Sequence, residues 1–177
     1  MEERQLIEGC IRGESWAQKT LYELYAPAMM GVCQRYVCNR ETARDLLHDG
    51  FVKLFTKIHT YSGAGSFSGW IRRVFVTTAL EYIRHKDVLN NSADIEMFDF
   101  QDTESDVSVF EHLSANELIA CIAKLPGGLR AVFNLHAIEG YSHDEIAKEL
   151  KMKENTSRSK YNAAKKMLRE MMEELAG

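Results

Sequence analysis

Residues 142–169 read SHDEIAKELKMKENTSRSKYNAAKKMLR, and this stretch decides the fold of the C-terminal part of the chain. Ser142, followed three residues later by Glu145, is the pattern of a capping box, which predicts that a short helix begins there and runs to Leu150. After a tight connection of three residues, a long basic helix is predicted from about residue 154 to residue 174. A short capped helix, a brief connection and a longer helix together predict a helix-turn-helix.

The long helix has two different faces. Ser157, Tyr161, Ala164 and Leu168 repeat at helical spacing and are predicted to pack inward. Between residues 151 and 169, seven Lys and Arg stand against the single Glu154, which is an unusual imbalance for a solvated helix face. In a helix-turn-helix, the first residues of the second helix meet base edges and later basic residues meet phosphates. The candidate duplex-DNA contacts are Asn155, Thr156, Arg158, Ser159, Lys160, Asn162, Lys165, Lys166 and Arg169; the alternative is a solvated charged surface.

Composition favours helices throughout the chain. The 177 residues include only two prolines and are 45% hydrophobic and 27% charged, values typical of a globular protein with few turns. No apolar run is long enough for a membrane helix, and the N-terminus lacks the pattern of a signal peptide, so a cytoplasmic protein without membrane insertion is expected. The four cysteines form no Cys-x-x-Cys pair and are predicted to be buried free thiols, with no metal site.

The negative charge is concentrated in one segment. Residues 87–113 hold eight Asp and Glu and no Lys or Arg, whereas residues 1–86 and 114–177 are both mildly basic. We therefore predict two small helical domains, 1–86 and 114–177, joined by an acidic linker, 87–113. The linker is interpreted either as a solvated spacer or as a strap that folds against the basic helix of the second domain.

The first domain combines aromatic and basic residues beside a loop rich in glycine and serine. Single-stranded DNA is commonly held by stacking its bases on aromatic rings and placing its phosphates near cations. The candidates for such contacts are Tyr61, Ser62, Ser66, Trp70, Arg72, Arg73, Arg84, His85 and Lys86. The alternative is that the aromatic members, Trp70 above all, belong to the hydrophobic core.

Several ordered blocks of the chain resemble the extracytoplasmic-function (ECF) sigma factors of the bacterial sigma-70 family. TARDLLHDGFVKLF at residues 42–55 resembles region 2.2, and FSGWIRR at residues 67–73 through YIRHK at residues 82–86 resembles regions 2.3 and 2.4. Leu125-Pro126, RAVF at residues 130–133, EGYS at residues 139–142, EIA at residues 145–147 and TSRSK at residues 156–160 resemble region 4. Three positions depart from the usual pattern: His48 in place of Gln, Ser157 in place of Val, and Tyr161 in place of an aliphatic residue.

The resemblance implies an all-α transcription initiation factor with core RNA polymerase and promoter DNA, both duplex and single-stranded, as partners. The final helix would read the −35 element, and the aromatic and basic residues of the first domain would hold the separated −10 strand. An anti-sigma factor is a further partner that the resemblance suggests, and no cofactor is implied. The residues implied to face the polymerase are Asp45, Leu46, Leu47, His48, Asp49, Phe51 and Phe55.

Two other functions compete with this interpretation. One is a helix-turn-helix regulator that binds DNA without docking on polymerase, and the other is a helical adaptor that binds no nucleic acid. No motif of a catalytic or phosphate-binding site is present, so an enzyme is not expected. His136 and His143 lie seven residues apart without a third ligand, which favours a structural role over metal binding.

Overall fold

A computed structural model describes residues 2–85 and 114–176, and helices dominate these residues. Within the described ranges there is no strand, and the predicted all-α class is confirmed. The α-helices are α1 (Glu3–Ile11), α2 (Ser15–Tyr36), α3 (Arg40–Lys57), α4 (Phe67–His85), α5 (Ala115–Ala123), α6 (Gly127–Phe133), α7 (His143–Leu150) and α8 (Glu154–Ala176). A 3₁₀ turn, Ile58–Thr60, follows α3, and a π-helical segment, Asn134–Ile138, follows α6.

The first compact unit extends from Met1 to Glu81. Its core contains Leu21 of α2, Leu54 of α3, and Ile71 and Phe75 of α4, all fully buried. A Cβ added to Gly50 of α3 would lie 2.2 Å from the Phe75 ring. Glycine at this position therefore allows α4 to pack closely on α3.

The second compact unit extends from Tyr82 to Gly177. Its core joins Ile122, Leu125 and Leu129 with Ala164 and Leu168 of α8. Ala164 and Leu168 belong to the inward face predicted for the long helix, and their burial against the other helices stabilises this unit.

Local signals at the helix ends agree with the sequence. The Ser142 hydroxyl accepts a hydrogen bond from the Glu145 amide at 3.1 Å, as predicted at the start of α7. A complete capping box, which the sequence analysis did not identify, lies at Ser114 and Glu117 of α5. Lys151 has a left-handed backbone with φ of 54° and makes the sharp turn between α7 and α8.

The predicted linker, residues 87–113, lies outside the described residues, so its limits and role stay predictions. Among the helices that are described, none is long and apolar enough to span a membrane. Cys10, Cys33 and Cys121 are buried as predicted, but Cys38 is exposed because it lies in the connection between α2 and α3. The prediction of burial is wrong for that thiol.

Candidate nucleic-acid interface

The helix-turn-helix consists of α7, the turn at residues 151–153, and α8. Ser157, Ala164 and Leu168 are fully buried and Tyr161 is half-buried, so the inner face of α8 is the predicted one. This orientation leaves the side chains on the opposite side of α8 to form the outer surface of the helix.

The first turns of α8 present polar side chains. Asn155 and Arg158 are exposed, and Thr156 and Ser159 are half-buried. The Arg158 guanidinium donates to the Glu154 carboxylate at 2.7 Å, across one helical turn. Farther along the helix, Lys166 is exposed and Asn162 and Arg169 are half-buried.

Two of the predicted phosphate contacts are not on this surface. Lys160 and Lys165 are only 5% and 8% exposed, so their predicted exposure is wrong. The Lys165 Nζ lies 4.7 Å from the centroid of the Tyr161 ring, a cation–π contact.

A cluster of four polar side chains, which sequence reasoning missed, lies on the inner face of α8. We call it the histidine cluster: His136 of the π-helical segment, His143 of α7, and Ser157 and Tyr161 of α8. The two imidazole rings are stacked with centroids 4.2 Å apart, and the Tyr161 ring lies 4.5 Å from His136 and 5.7 Å from His143. The Nδ1 of His143 lies 2.8 Å from the Ser157 hydroxyl. Burial raises the pKa of Tyr161, so its ring stays neutral.

The sequence contained a signal for this cluster. Ser157 and Tyr161 are two of the three departures from the family pattern, and a structural role was predicted for the two histidines. A polar side chain at a buried position requires a polar partner, and His143 supplies it for Ser157.

In the first unit, three aromatic rings form a platform at the start of α4. The ring centroids of Tyr61 and Phe67 are 5.2 Å apart, those of Tyr61 and Trp70 are 5.6 Å apart, and those of Phe67 and Trp70 are 6.0 Å apart. Phe67 is buried, whereas Tyr61 and Trp70 remain half-buried. Trp70 therefore belongs partly to the core and partly to the surface, which combines the two interpretations made from the sequence.

The loop beside this aromatic platform is ordered by its own hydrogen bonds. The Tyr61 hydroxyl donates to the Gly65 carbonyl at 2.9 Å, and the Ser66 hydroxyl accepts from the Gly69 amide at 3.1 Å. Ser62 and Ser66 are exposed. The loop thus leaves hydroxyl groups open to solvent next to the aromatic rings.

The predicted cations differ in accessibility. Arg73 and His85 are exposed, and Arg72 and Arg84 are half-buried. Arg84 and His85 lie at the end of α4, which belongs to the second compact unit. Lys86 lies outside the described residues.

Sequence reasoning also missed a basic pocket of about 170 Å³ between α3 and α4. Its lining includes Lys53 and Lys57 of α3 and Trp70 and Arg73 of α4, and Lys53 forms an ion pair with Glu81. The spacing of four residues between the two lysines is the signal that places both on one side of α3.

A separate apolar groove of about 690 Å³ lies between α2 and α3. Four of the predicted polymerase contacts line it: Leu47, His48, Phe51 and Phe55. The α2 side supplies Tyr22 and other residues that the sequence analysis did not select, and Val52 of α3 is 53% exposed at the groove.

The remaining predicted contacts divide between surface and core. Asp45 and Asp49 are exposed, but Leu46 and Phe51 are only 2% and 4% exposed. The Phe51 ring packs against Tyr22 and Phe75, with ring centroids 4.7 Å and 5.0 Å away. The assignment of Phe51 to the residues that face the polymerase required an exposed ring and is dropped, because α2 and α4 both close over this ring.

Comparisons with known proteins match both units. Residues 21–88 match the family described as Sigma-70 region 2, and residues 115–168 match Sigma-70, region 4. The RNA polymerase sigma-H factor of Pseudomonas aeruginosa is 24% identical over 184 residues, which cover 98% of this chain and 95% of that protein. The ECF RNA polymerase sigma-E factor of Haemophilus influenzae is 26% identical over 187 residues, which cover 99% of this chain and 97% of the relative.

Two solved structures share the fold. The sigma factor RpoE in complex with the anti-sigma factor NepR from Bartonella quintana matches with a TM-score of 0.53 and 16% identity, covering 88% of this chain and 96% of that one. CnrH in complex with the cytosolic domain of CnrY matches with a TM-score of 0.50 and 17% identity, covering 97% of both chains.

Proposed function

The chain belongs to the sigma-70 family, as a sigma factor of the ECF type, and from this premise we propose that it binds core RNA polymerase and directs it to promoters with −10 and −35 elements. The observation that carries the proposal is the presence of both family regions in one chain, in order and matched over residues 21–88 and 115–168. A regulator that only binds duplex DNA through its C-terminal unit has no need for the first region.

The helix-turn-helix is the proposed reader of the −35 element. Asn155, Thr156, Arg158 and Ser159 lie on the first turns of α8, which in this motif enter the major groove. An arginine can donate two hydrogen bonds to a guanine edge, and Arg158 is exposed enough to exchange Glu154 for a base. Lys166 and Arg169 are the proposed phosphate contacts of this helix.

The aromatic platform is the proposed holder of the separated −10 strand. Trp70 and Tyr61 offer half-buried ring surfaces for stacking, and exposed Arg73 lines the same pocket as Trp70. The basic pocket adds Lys53 and Lys57 to this surface. Stacking and nearby cations together suit a single strand and not a closed duplex.

The α2–α3 groove is the proposed docking surface for core polymerase. Its floor contains Phe51, and its accessible margin contains Val52 and His48. Apolar grooves bind partner helices by burying side chains that are otherwise exposed to water. The contact residues we propose are therefore His48, Val52 and the half-buried Phe55, with Asp45 and Asp49 exposed on the same helix.

The protein is proposed to act without catalysis of its own and in the cytoplasm, where its polymerase partner works. An anti-sigma factor is proposed as a regulatory partner, which the resemblance to the ECF class supports.

The test is reconstituted transcription. The purified chain is added to core RNA polymerase with a library of promoter fragments, and sequence-specific transcripts are expected only when both proteins are present. Val52→Asp should reduce core binding and transcription together, because it places a charge in the apolar groove. Leu24→Asp, a matched change at an exposed leucine of α2 outside the groove lining, should leave both unchanged.

Two outcomes would contradict the proposal. Duplex binding without any effect on polymerase would favour the helix-turn-helix regulator, and the absence of nucleic-acid binding would favour the helical adaptor.

A further inference from the structure

One acidic side chain lies among the cations of the helix-turn-helix. Between residues 151 and 169, Glu154 is the single acid beside seven Lys and Arg. It is the first residue of α8, at the end of the helix that is proposed to enter the major groove. DNA phosphates repel a carboxylate at this place, so its charge weakens binding to every sequence. Such an acid still raises specificity if one base supplies a hydrogen-bond donor for it and the other bases do not.

Glu154 and Arg158 form an ion pair across one turn of α8. The Nη2 of Arg158 lies 2.7 Å from the Oε1 of Glu154, and the two side chains are 54% and 46% exposed. Within the part of the chain that the structure describes, neither side chain has another hydrogen-bond or ion-pair partner. Both groups are therefore accessible from solvent, and a base that binds the guanidinium in place of Glu154 releases the carboxylate.

The chemistry of the two side chains matches the two bases of a G·C pair. In the major groove, guanine presents the acceptors O6 and N7, and cytosine presents the amino donor at N4. The guanidinium of Arg158 only donates, and the ionised carboxylate of Glu154 only accepts. The two residues are about 6 Å apart along the helix axis. When Arg158 binds guanine, the freed carboxylate is therefore expected within reach of the amino group of a cytosine in the same or the neighbouring base pair.

The other base edges disfavour a freed carboxylate. Thymine presents the acceptor O4 and guanine presents O6 and N7, so a carboxylate that faces them loses its solvent and gains no donor. Adenine has an amino group, but the acceptor N7 lies beside it, and a carboxylate cannot donate to N7. Cytosine is the base whose amino group a carboxylate can use without meeting a neighbouring acceptor of the same base.

We propose that Glu154 is a specificity-determining residue of α8, which accepts a hydrogen bond from a cytosine amino group while Arg158 binds guanine. The proposal rests on the proposed function of the helix-turn-helix and adds the base that its acidic side chain reads. Glu154 acts by exclusion as well as by attraction, because its charge weakens binding to sequences that lack the donor. Its removal should therefore tighten binding to unrelated DNA and relax sequence selection at the same time.

A purely structural role for Glu154 gives a different result. A carboxylate in the first turn stabilises a helix by interacting with the positive end of the helix dipole, and a Glu–Arg pair at this spacing adds to the stabilisation. Both contributions act on folding and do not depend on the DNA sequence. A change in base preference therefore distinguishes base reading from helix stabilisation.

The experiment uses the full chain and a duplex selected from a random library, with a scrambled duplex of equal length. Fluorescence anisotropy measures the affinity for the selected duplex, for versions of it substituted at each base pair, and for the scrambled duplex. The guanine whose preference is lost in Arg158→Ala locates the pair. At the cytosine paired with this guanine or next to it, the wild type should prefer cytosine over thymine by about tenfold.

Two substitutions of Glu154 test the role of its carboxylate. Glu154→Ala removes the acceptor, so the preference for cytosine over thymine should fall below about twofold, while binding to the scrambled duplex tightens about twofold. Glu154→Gln keeps the shape of the side chain and adds a donor beside its acceptor. Because this arrangement pairs with N6 and N7 of adenine, the preference should move from cytosine to adenine.

A matched variant separates base reading from net charge. Glu170→Gln removes the same charge from an exposed residue farther along α8 and should keep the wild-type base preference. Thermal unfolding followed by circular dichroism checks that each variant remains folded at the assay temperature. Glu154→Gln keeps the test decisive if Glu154→Ala weakens the start of the helix.

Loss of the cytosine preference in a folded Glu154 variant, with the preference retained in Glu170→Gln, supports the proposal. A cytosine preference that survives in both Glu154 variants would overturn it, as would a wild type without that preference or an equal loss in Glu170→Gln. Each of these contrary results leaves the proposed function intact when guanine selection through Arg158 remains. If the wild type selects no duplex sequence at all, the proposed −35 recognition fails and the Glu154 proposal fails with it.

Discussion

Phe51→Ala is expected to destabilise the first unit strongly, although Phe51 lines the proposed docking groove. The side chain is 4% exposed and packs against the rings of Tyr22, Phe55 and Phe75, with centroid distances of 4.7 to 6.0 Å. Truncation of a buried phenylalanine to alanine costs about 3–5 kcal/mol, because apolar contacts are lost and a cavity is left. Total stabilities of small domains are about 5–15 kcal/mol, so this loss consumes a large fraction of the total.

The assay is urea unfolding followed by tryptophan fluorescence. Both tryptophans, Trp16 and Trp70, lie in the first unit, so the signal reports on that unit alone. In a thermal scan, each 1 kcal/mol lost lowers the Tm of a domain of this size by about 4–8 °C, which predicts a fall of at least about 12 °C. Val52→Ala, at the next position of the same helix and 53% exposed, should change the unfolding free energy by less than about 0.5 kcal/mol.

A loss below about 1 kcal/mol for Phe51→Ala would refute this reasoning, because it would mean that the ring contributes little to the core. Phe51 would then again be a candidate for an exposed polymerase anchor. A large loss would mean that weak polymerase binding by Phe51→Ala is no evidence for a direct contact with polymerase, because the unit itself is destabilised.

Three further predictions concern other parts of the chain. Arg158→Ala should weaken binding to the selected −35 duplex by about 1–3 kcal/mol and relax sequence preference, whereas Lys166→Ala should weaken binding to all duplexes similarly and reduce the salt dependence; equal losses on selected and scrambled DNA for Arg158→Ala would contradict its role. At about pH 8 the exposed Cys38 should react with iodoacetamide in the native protein, while Cys33 should not, because burial raises its pKa to about 12; mass spectrometry of peptides distinguishes them. Ser142→Ala removes the cap of α7 and should cost about 1 kcal/mol, visible as faster hydrogen exchange in the first turn of that helix; unchanged exchange would show that the cap contributes little.

The helices were predictable because their signals are local. The apolar repeat at Ser157, Ala164 and Leu168 defines the inner face of α8 without knowledge of any other element. The cap at Ser142 likewise depends on residues within one turn. Such patterns identify the helix-turn-helix and the order of helices before any packing is known.

Contacts between helices were not predictable in the same way. The burial of Phe51 depends on how closely α4 approaches α3, and the glycine at position 50 permits that approach. The histidine cluster brings together residues 136, 143, 157 and 161, which lie on three separate helical segments, so their contact depends on how those segments pack. Lys165 has the sequence pattern of a surface cation, yet it is 8% exposed and its Nζ lies over the Tyr161 ring, a contact that the helical pattern does not indicate.

Burial at Phe51 and its position in the groove are not contradictory. A ring can form the floor of a groove and still lose nearly all contact with water, because its own neighbours cover it. The groove above the ring remains wide enough for side chains of a partner. Any substitution of this floor changes stability and docking together, so its effect on polymerase binding cannot be assigned to either. The accessible margin of the groove behaves differently, because exposed Val52 and His48 contribute little to the core. Their substitution alters mainly the surface that is offered to a partner. The docking proposal is therefore decided by substitutions at the accessible margin. The sequence resemblance selected Phe51 and not Val52, and Phe51 is a side chain that belongs to the core of the unit.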